Sequence, residues 1–347
     1  MVFGEHYLHL PLGYTGVDLF FVLSGFLITG ILFDSMDRPD RYRTFYIRRS
    51  LRIFPLYYGV LLALFALTPL LHLHWNKYWL VWPAYLGNLI RFLHPYRLDL
   101  GYVNPANGYI FFGSKPRVLL IGHFWSLSLE EQFYLMWPWV VYTMRSRQQL
   151  VRLCAVVVLT LPIIRVVTMA LLPIRYTELQ LTYSFTPFRV DALLIGALLA
   201  LLIRGGHRQA VLQAGRTLCT ISLPLVTLAL FGAYLEGKLL VISPWRFTWG
   251  QSLVDLVAVS LVAAALSPGN LIYRLGNLPH LRKLGQISYG AYVFHAIPMT
   301  LYKSFIGKLF GRYTVVANHF EFAVALFALA CTITLASLSY RYFELRF

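Results

Sequence analysis

Charged side chains are scarce in this sequence. Asp, Glu, Lys and Arg make up 13% of the 347 residues, whereas hydrophobic residues make up 58% and the mean hydropathy is +0.63. An ordinary soluble domain is roughly 45–50% apolar and about 25% charged, so the composition excludes a water-soluble enzyme. Acidic residues are the rarest charged type, 14 against 30 Lys and Arg, which leaves a net charge of +16.

Cysteine is also scarce. The three cysteines, Cys154, Cys219 and Cys331, lie in apolar segments at spacings that fit neither a disulfide framework nor a metal site, so we expect no metal. Residues 1–10 lack the basic start and apolar core of a signal peptide. Internal repeats, low-complexity tracts and an appended soluble domain are lacking too, which predicts a single membrane-embedded domain over residues 1–347.

The basic residues stand in short clusters between long apolar runs, which is the positive-inside pattern of a polytopic membrane protein rather than the signature of a nucleic-acid binder. A span needs about 20 mostly apolar residues. Such runs cover residues 14–33, 53–71, 124–144, 153–172, 188–203, 218–235, 248–266, 287–302 and 320–340. We therefore predict an all-α, polytopic transmembrane helix bundle with about nine complete spans in a lipid bilayer.

The loops between these runs alternate in charge. Basic segments, predicted to be cytoplasmic, cover residues 38–52, 145–152, 204–216, 274–283 and 341–346. The other loops, predicted to face outward, cover residues 71–123, 173–187, 236–247 and 303–319. Residues 79–93 are predicted to be interfacial or re-entrant, because a full span there would place the later basic clusters outside. The chain before residue 14 is then the end of a truncated first helix, which would complete about ten spans with both termini cytoplasmic.

One basic cluster has the geometry of an anion site. Arg49 and Arg52 are three residues apart and so share a helix face, where two guanidinium groups can hold a phosphate or diphosphate, with Arg48 beside them. The alternative is that these residues only fix the topology of the helix end.

Two adjacent carboxylates, Glu130 and Glu131, stand at the mouth of a predicted span. An acid within a membrane is costly unless it faces a wet cavity or a partner, so it is a functional candidate. The two side chains point about 100° apart on a helix, so one of them at most faces a given cavity. The alternative is a capping role or an ion pair with a neighbouring arginine.

Further polar residues lie within or beside apolar runs. Tyr289, Tyr292 and His295 follow at steps of three and form one stripe, which either lines a substrate path or bonds neighbouring helices. Asp18 is a lone carboxylate near an outer membrane boundary, with the same two alternatives. Asp191 is expected to form a local ion pair with Arg189.

Two histidines near the N-terminus are candidate bases. His6 and His9 are three residues apart and are predicted to share a helix face. Histidine has an unperturbed pKa of about 6.5, so it can take a proton from a hydroxyl at neutral pH. The alternative is that both are interfacial hydrogen-bonding residues.

In chain order these segments resemble the acyltransferase family 3 membrane O-acyltransferases, which modify cell-surface sugars, antibiotics and other small acceptors. The resemblance runs from about residue 14 to the C-terminus. It is carried by GVDLFFVLSGFLI (residues 16–28), FYIRRSLRI (45–53), FWSLSLEEQFY (124–134), FRVDALLIG (188–196), ISYGAYVFH (287–295) and YRYFELR (340–346).

The resemblance implies a fold, a reaction and a set of roles. The donor would be acyl-CoA, usually acetyl-CoA, bound by Arg49 and Arg52 on the cytoplasmic side. The protein would lie in the inner membrane of a bacterium. His6, with His9 as the second choice, would be the base that acts on a carbohydrate or other hydroxyl, and Glu130 would be the acid of the Trp-Ser-Leu-Ser-x-Glu motif. The family also places an arginine eleven residues before the histidine, and that position falls before Met1.

A different class of protein is compatible with the same arginines. A transporter or flippase for a lipid-linked sugar or an organic anion would use them as anion gates, but it should show internal repeats or broken paired helices, which the sequence lacks. A membrane scaffold would leave Arg49, Arg52 and Glu130 without a joint role. The sequence specifies neither the acceptor, nor the acyl length, nor the oligomeric state.

Overall fold

The structure is a computed structural model, and it describes residues 1–10, 13–75, 79–89, 109–112, 115–171, 182–235, 247–310 and 319–346. The described part is mainly helical. Its first helices are α1 (Val2–Leu8), α2 (Thr15–Asp34), α3 (Arg41–Ala66), α4 (Thr68–Leu71), α5 (Trp125–Met144), α6 (Arg147–Leu171) and α7 (Thr186–Leu202). The later helices are α8 (Arg208–Leu235), α9 (Trp249–Ala265), α10 (Leu271–Gly276), α11 (Pro279–Gln286), α12 (Ser288–Phe294), α13 (Met299–Phe310) and α14 (Phe320–Tyr342).

Six described helices are long and apolar enough to cross a membrane: Thr15–Asp34, Arg41–Ala66, Arg147–Leu171, Thr182–Leu202, Arg208–Leu228 and Phe320–Arg346. The apolar helix Trp249–Ala265 is shorter. The helix α5, which carries serines and both glutamates of its motif, is not among the six. The described helices are those of an integral membrane protein, as the composition predicted.

Two predicted boundaries were wrong. The helix α3 begins at Arg41, twelve residues before the predicted span, and it carries Arg48, Arg49 and Arg52, so the predicted helical placement of Arg49 and Arg52 is confirmed. The predicted run 287–302 is divided into α12 and α13, because the helix ends at His295 and Pro298 follows. As a result α13 extends to Phe310, into a segment that was predicted to be an outward loop.

The expectation of a purely α-helical fold needs a correction. Three strands, β1 (Leu73–His74), β2 (Tyr109–Phe112) and β3 (Lys115–Leu120), form an antiparallel sheet in the order β1-β2-β3. Leu73 pairs with Phe112, and Ile110 pairs with Leu119. Strands this short give too few alternating residues to be predicted from pattern. Residues 79–89 form only short turns of 3-10 helix, and residues 90–93 of the predicted interfacial segment lie outside the described part.

The chain forms two compact units, and the first comprises residues 1–13, 43–128 and 282–347. Its buried core combines aliphatic and aromatic side chains. Tyr57 stacks on Tyr85 with ring centroids 4.2 Å apart, and the Tyr57 hydroxyl donates to the Trp82 carbonyl at 2.7 Å. The helix α14 packs against α1, α12 and α13. The backbone N–H of Leu120 donates to the Ile297 carbonyl at 3.1 Å, which fixes β3 beside the break between α12 and α13.

The second unit comprises residues 14–42 and 129–281. Here α2 packs against α7, and the two helices approach closely because each has a glycine at the crossing. A Cβ atom on Gly25 would overlap the Leu193 carbonyl, and a Cβ atom on Gly196 would overlap the Val22 carbonyl. The helices α6 and α9 pack against this pair.

Candidate active site

Three histidines lie side by side in the first unit. His6 is on α1, His123 precedes α5, and His295 ends α12. The ring centroids of His6 and His295 are 5.0 Å apart, and those of His123 and His295 are 4.8 Å apart. His6 is half-buried, whereas His123 and His295 are buried. The cluster therefore joins one accessible imidazole to two enclosed ones.

The predicted pairing of His6 with His9 on one helix face was wrong. The helix α1 ends at Leu8, and His9 follows with φ 51°, in the left-handed region that ends a helix. This turn directs His9 away from the helical repeat, and its side chain is exposed. Of the two candidate bases, His6 is the one that lies in the histidine cluster.

The hydrogen bonds of the two buried rings define their tautomers. The Nδ1 atom of His295 lies 2.6 Å from the Tyr292 carbonyl oxygen, and the Nε2 atom of His123 lies 3.1 Å from the Val293 carbonyl oxygen. A carbonyl only accepts, so each of these nitrogens carries the proton. In the neutral rings, Nε2 of His295 and Nδ1 of His123 are therefore acceptors, and neither has a hydrogen-bond partner among the described residues.

The surrounding hydroxyls hold these rings in place. The Tyr7 hydroxyl, which is fully buried, donates to the His295 carbonyl at 2.7 Å. The Tyr292 hydroxyl donates to the His123 carbonyl at 2.9 Å and bonds the Ser126 hydroxyl. Tyr292 thus connects α12 to the start of α5. This residue of the predicted polar stripe forms hydrogen bonds with a neighbouring element.

The three arginines of the predicted anion site lie on α3, in the same unit as the histidines. Arg48 and Arg52 are exposed, and Arg49 is half-buried. The Tyr289 hydroxyl donates to the carbonyl of Ile53, next to Arg52, at 2.8 Å. Because Tyr289 and His295 are both on the α12 segment, this element connects the arginine helix to the histidine cluster.

Glu130 lies in the second unit, on α5, and is buried. Its carboxylate accepts a hydrogen bond from the Tyr134 hydroxyl, which in turn bonds the Ser24 hydroxyl. Glu131, the next residue, is half-buried.

The second unit also contains a buried ionic cluster. Asp18 forms an ion pair with Arg189, and the exposed fractions of the two side chains are 2% and 0%. Arg165 donates to the Asp191 carboxylate at 2.8 Å and to the carbonyl oxygens of Phe188 and Thr248 at 2.7 and 3.2 Å. Asp18 thus has a structural partner inside the protein.

The expected local ion pair between Arg189 and Asp191 was wrong, because each residue pairs with another helix: Arg189 with α2 and Asp191 with α6. The sequence reasoning also missed Arg165 and Asp255, both buried in this cluster. Each is a charged residue inside an apolar run, a signal that by itself marks a candidate site.

The cysteines and possible metal ligands are the remaining side chains considered from the sequence. Cys154 and Cys219 are buried and Cys331 is half-buried, and all three are free thiols. Among the residues that the structure describes, no group of three or more His, Cys, Asp and Glu side chains has the arrangement of a metal site.

A known protein family matches nearly the whole chain. The model of the acyltransferase domain family, Acyl_transf_3, matches residues 2–341. The chain therefore belongs to this acyltransferase family, which confirms the predicted enzyme class. The match covers both units and includes His6, the α3 arginines and Glu130.

Several curated relatives are O-acetyltransferases by name. The chain is 26% identical over 299 residues to the peptidoglycan O-acetyltransferase OatA of Listeria monocytogenes, covering 83% of this chain and 45% of the relative. It is 25% identical over 349 residues to a putative O-acetyltransferase of Staphylococcus aureus, covering 96% and 52%. It is 28% identical over 300 residues to the putative peptidoglycan O-acetyltransferase YrhL of Bacillus subtilis, covering 82% and 44%.

The chain thus spans about half the length of the curated relatives that it matches. No solved structure matches it.

Proposed function

We propose that the protein transfers an acyl group, most simply acetyl, from acyl-CoA to a hydroxyl of a carbohydrate or other cell-envelope acceptor. The observation that carries this proposal is the position of His6, a half-buried imidazole beside two buried ones, in the same unit as the arginines of α3. The names of the relatives support O-acetylation, and peptidoglycan is the acceptor class that two of them suggest.

The reaction needs a base and later an acid. The acceptor oxygen attacks the thioester carbonyl, the carbon–sulfur bond breaks, and an oxygen ester and CoA are formed. His6 takes the hydroxyl proton and returns it to the departing CoA sulfur, which leaves the imidazole neutral again. The role predicted for Glu130, which lies in the second unit, stays a prediction.

The arginines are proposed to bind the donor. Guanidinium groups match phosphate oxygens in a fork geometry, and CoA carries a diphosphate and a ribose phosphate. The segment from Tyr289 to His295 rises about 9 Å at 1.5 Å per residue, which the pantetheine arm of CoA can cover. Arg49 and Arg52 would hold the phosphates, with Arg48 as an outer contact, while the thioester reaches His6.

The remaining parts of the proposal concern the surroundings of the site. Tyr289, Tyr292 and His295 are proposed to border the substrate path, and the same role predicted for Asp18, in the second unit, stays a prediction. The protein is proposed to be one membrane-embedded domain of about nine spans, in the bacterial inner membrane with both termini cytoplasmic. No resident cofactor is proposed, since acyl-CoA is consumed as a co-substrate.

Donor binding is tested with the purified protein in proteoliposomes. Release of the CoA thiol from acetyl-CoA is measured with soluble peptidoglycan fragments as the acceptor, for the wild type and for R49A/R52A. The proposal predicts a KM for acetyl-CoA at least tenfold higher in the double variant. Arg43→Ala is the control, because Arg43 is exposed on the same helix but on the face opposite Arg52, two and a half turns away. An equal increase of the KM for acetyl-CoA in R49A/R52A and in Arg43→Ala would contradict donor binding by Arg49 and Arg52.

A further inference from the structure

The two ring nitrogens of His295 differ in their hydrogen bonding. Its Nδ1–H donates to the Tyr292 carbonyl at 2.6 Å, while its Nε2 has no hydrogen-bond partner among the described residues although the side chain is buried. A buried acceptor without a partner is costly, so this nitrogen indicates a bond that forms in a working state.

The neighbouring ring is that of His6. The two ring centroids are 5.0 Å apart, a separation at which ring nitrogens that point toward each other are within hydrogen-bond distance. The backbones are also tied together. Tyr7, the next residue after His6, donates its hydroxyl to the His295 carbonyl at 2.7 Å, which fixes α1 to the end of α12 at this point.

His123 closes the other side of His295. Its ring centroid is 4.8 Å from that of His295, and its own Nε2–H is used by the Val293 carbonyl. A proton on His123 therefore faces the backbone, and this ring does not compete for Nε2 of His295. Of the three rings, that of His6 is the remaining candidate donor to Nε2 of His295.

We propose that His295 is the positioning residue of the base: its Nε2 accepts a hydrogen bond from one ring N–H of His6. This bond selects the tautomer of His6, so its other nitrogen is unprotonated and available to the acceptor hydroxyl, as in other base–orienter pairs. The inference rests on the proposed function, in which His6 is the base, and it assigns the role of orienting His6 to a residue of the same unit.

Two replacements separate the two nitrogens of His295. In His295→Asn the amide N–H takes the place of Nδ1–H toward Tyr292, but the acceptor at Nε2 is lost. In His295→Gln the amide reaches the position of Nε2, but the bond to Tyr292 is lost. Positioning through Nε2 predicts that Asn lowers kcat by about 10- to 100-fold, with the KM for acetyl-CoA unchanged, and that Gln restores most of kcat.

The assay is CoA release from acetyl-CoA with peptidoglycan fragments, and the melting temperature of each variant is measured alongside. A purely structural role predicts the opposite order, with Asn close to the wild type and Gln impaired, and that order would overturn the inference. Equal kcat in Asn and wild type would overturn it as well.

A second measurement does not depend on turnover. In protein labelled with nitrogen-15 at histidine, the ring N–H resonance of His6 should show a hydrogen bond in the wild type and in His295→Gln, but not in His295→Asn. An unchanged His6 resonance in all three proteins would overturn the inference. A wild type that shows the bond but releases no CoA would instead overturn the proposed function.

Discussion

The ion pair between Asp18 and Arg189 gives the most quantitative prediction for stability. Both side chains are almost completely buried, and Arg189 also donates to Gln251 at 3.2 Å. Replacing Asp18 by Asn preserves the shape but leaves the guanidinium without its partner charge. Breaking a buried ion pair in this way costs about 3–5 kcal/mol of unfolding free energy.

A more exposed pair of the same residue types provides the control. Asp34 and Arg204 make two hydrogen bonds of 2.7 and 2.6 Å, but their side chains are 60% and 25% exposed. Solvent screening limits such a pair to about 0–1 kcal/mol, so Asp34→Asn should change the unfolding free energy by less than 1 kcal/mol. The two variants differ mainly in burial.

The assay is unfolding of the purified protein in mixed micelles of rising SDS content, followed by tryptophan fluorescence. A third variant, D18L/R189M, removes both charges and should recover most of the loss, because replacing both partners by apolar residues is often neutral. If Asp18→Asn costs no more than Asp34→Asn, the pair does not stabilise the second unit and the reasoning from burial is refuted.

Three further predictions follow from single contacts. Gly25→Ala should cost about 1–3 kcal/mol, because its Cβ atom overlaps a carbonyl of α7, whereas Gly206→Ala, with open space around it, should cost little in the same unfolding assay. Tyr7→Phe should cost about 0.5–1.5 kcal/mol through the lost bond to the His295 carbonyl, and an unchanged unfolding midpoint would contradict this. Arg52→Ala alone should raise the KM for acetyl-CoA with little change in kcat, and an equal rise in Arg43→Ala would contradict a specific phosphate contact.

The positions of helices formed by apolar runs with polar ends were predictable from the sequence. The helices α2, α7 and α14 lie within a few residues of their predicted spans, because hydropathy alone decides where such helices lie. The start of α3 was not predictable in this way. Arginine and tyrosine are compatible with a helix although they are unsuited to a bilayer. The helix therefore begins twelve residues before its apolar part.

The site was partly predictable. His6 was singled out through the family motif, and His295 through its three-residue spacing from Tyr292. His123 was missed as a member of the cluster because its contact with His295 joins residues that are far apart in the chain, and spacing carries no information about such contacts. Arg165 and Asp255 were detectable as lone charges in apolar runs, but their partners follow only from helix packing.

The most direct test of the central claim is transfer of a radiolabelled acetyl group from acetyl-CoA to soluble peptidoglycan fragments by the protein in proteoliposomes. The account predicts labelled ester in the wild type and in His9→Ala, and a loss of at least 100-fold in His6→Ala, as expected when a general base is removed. Equal labelling by the wild type and His6→Ala would contradict the account, since the reaction would then proceed without the base on which it rests.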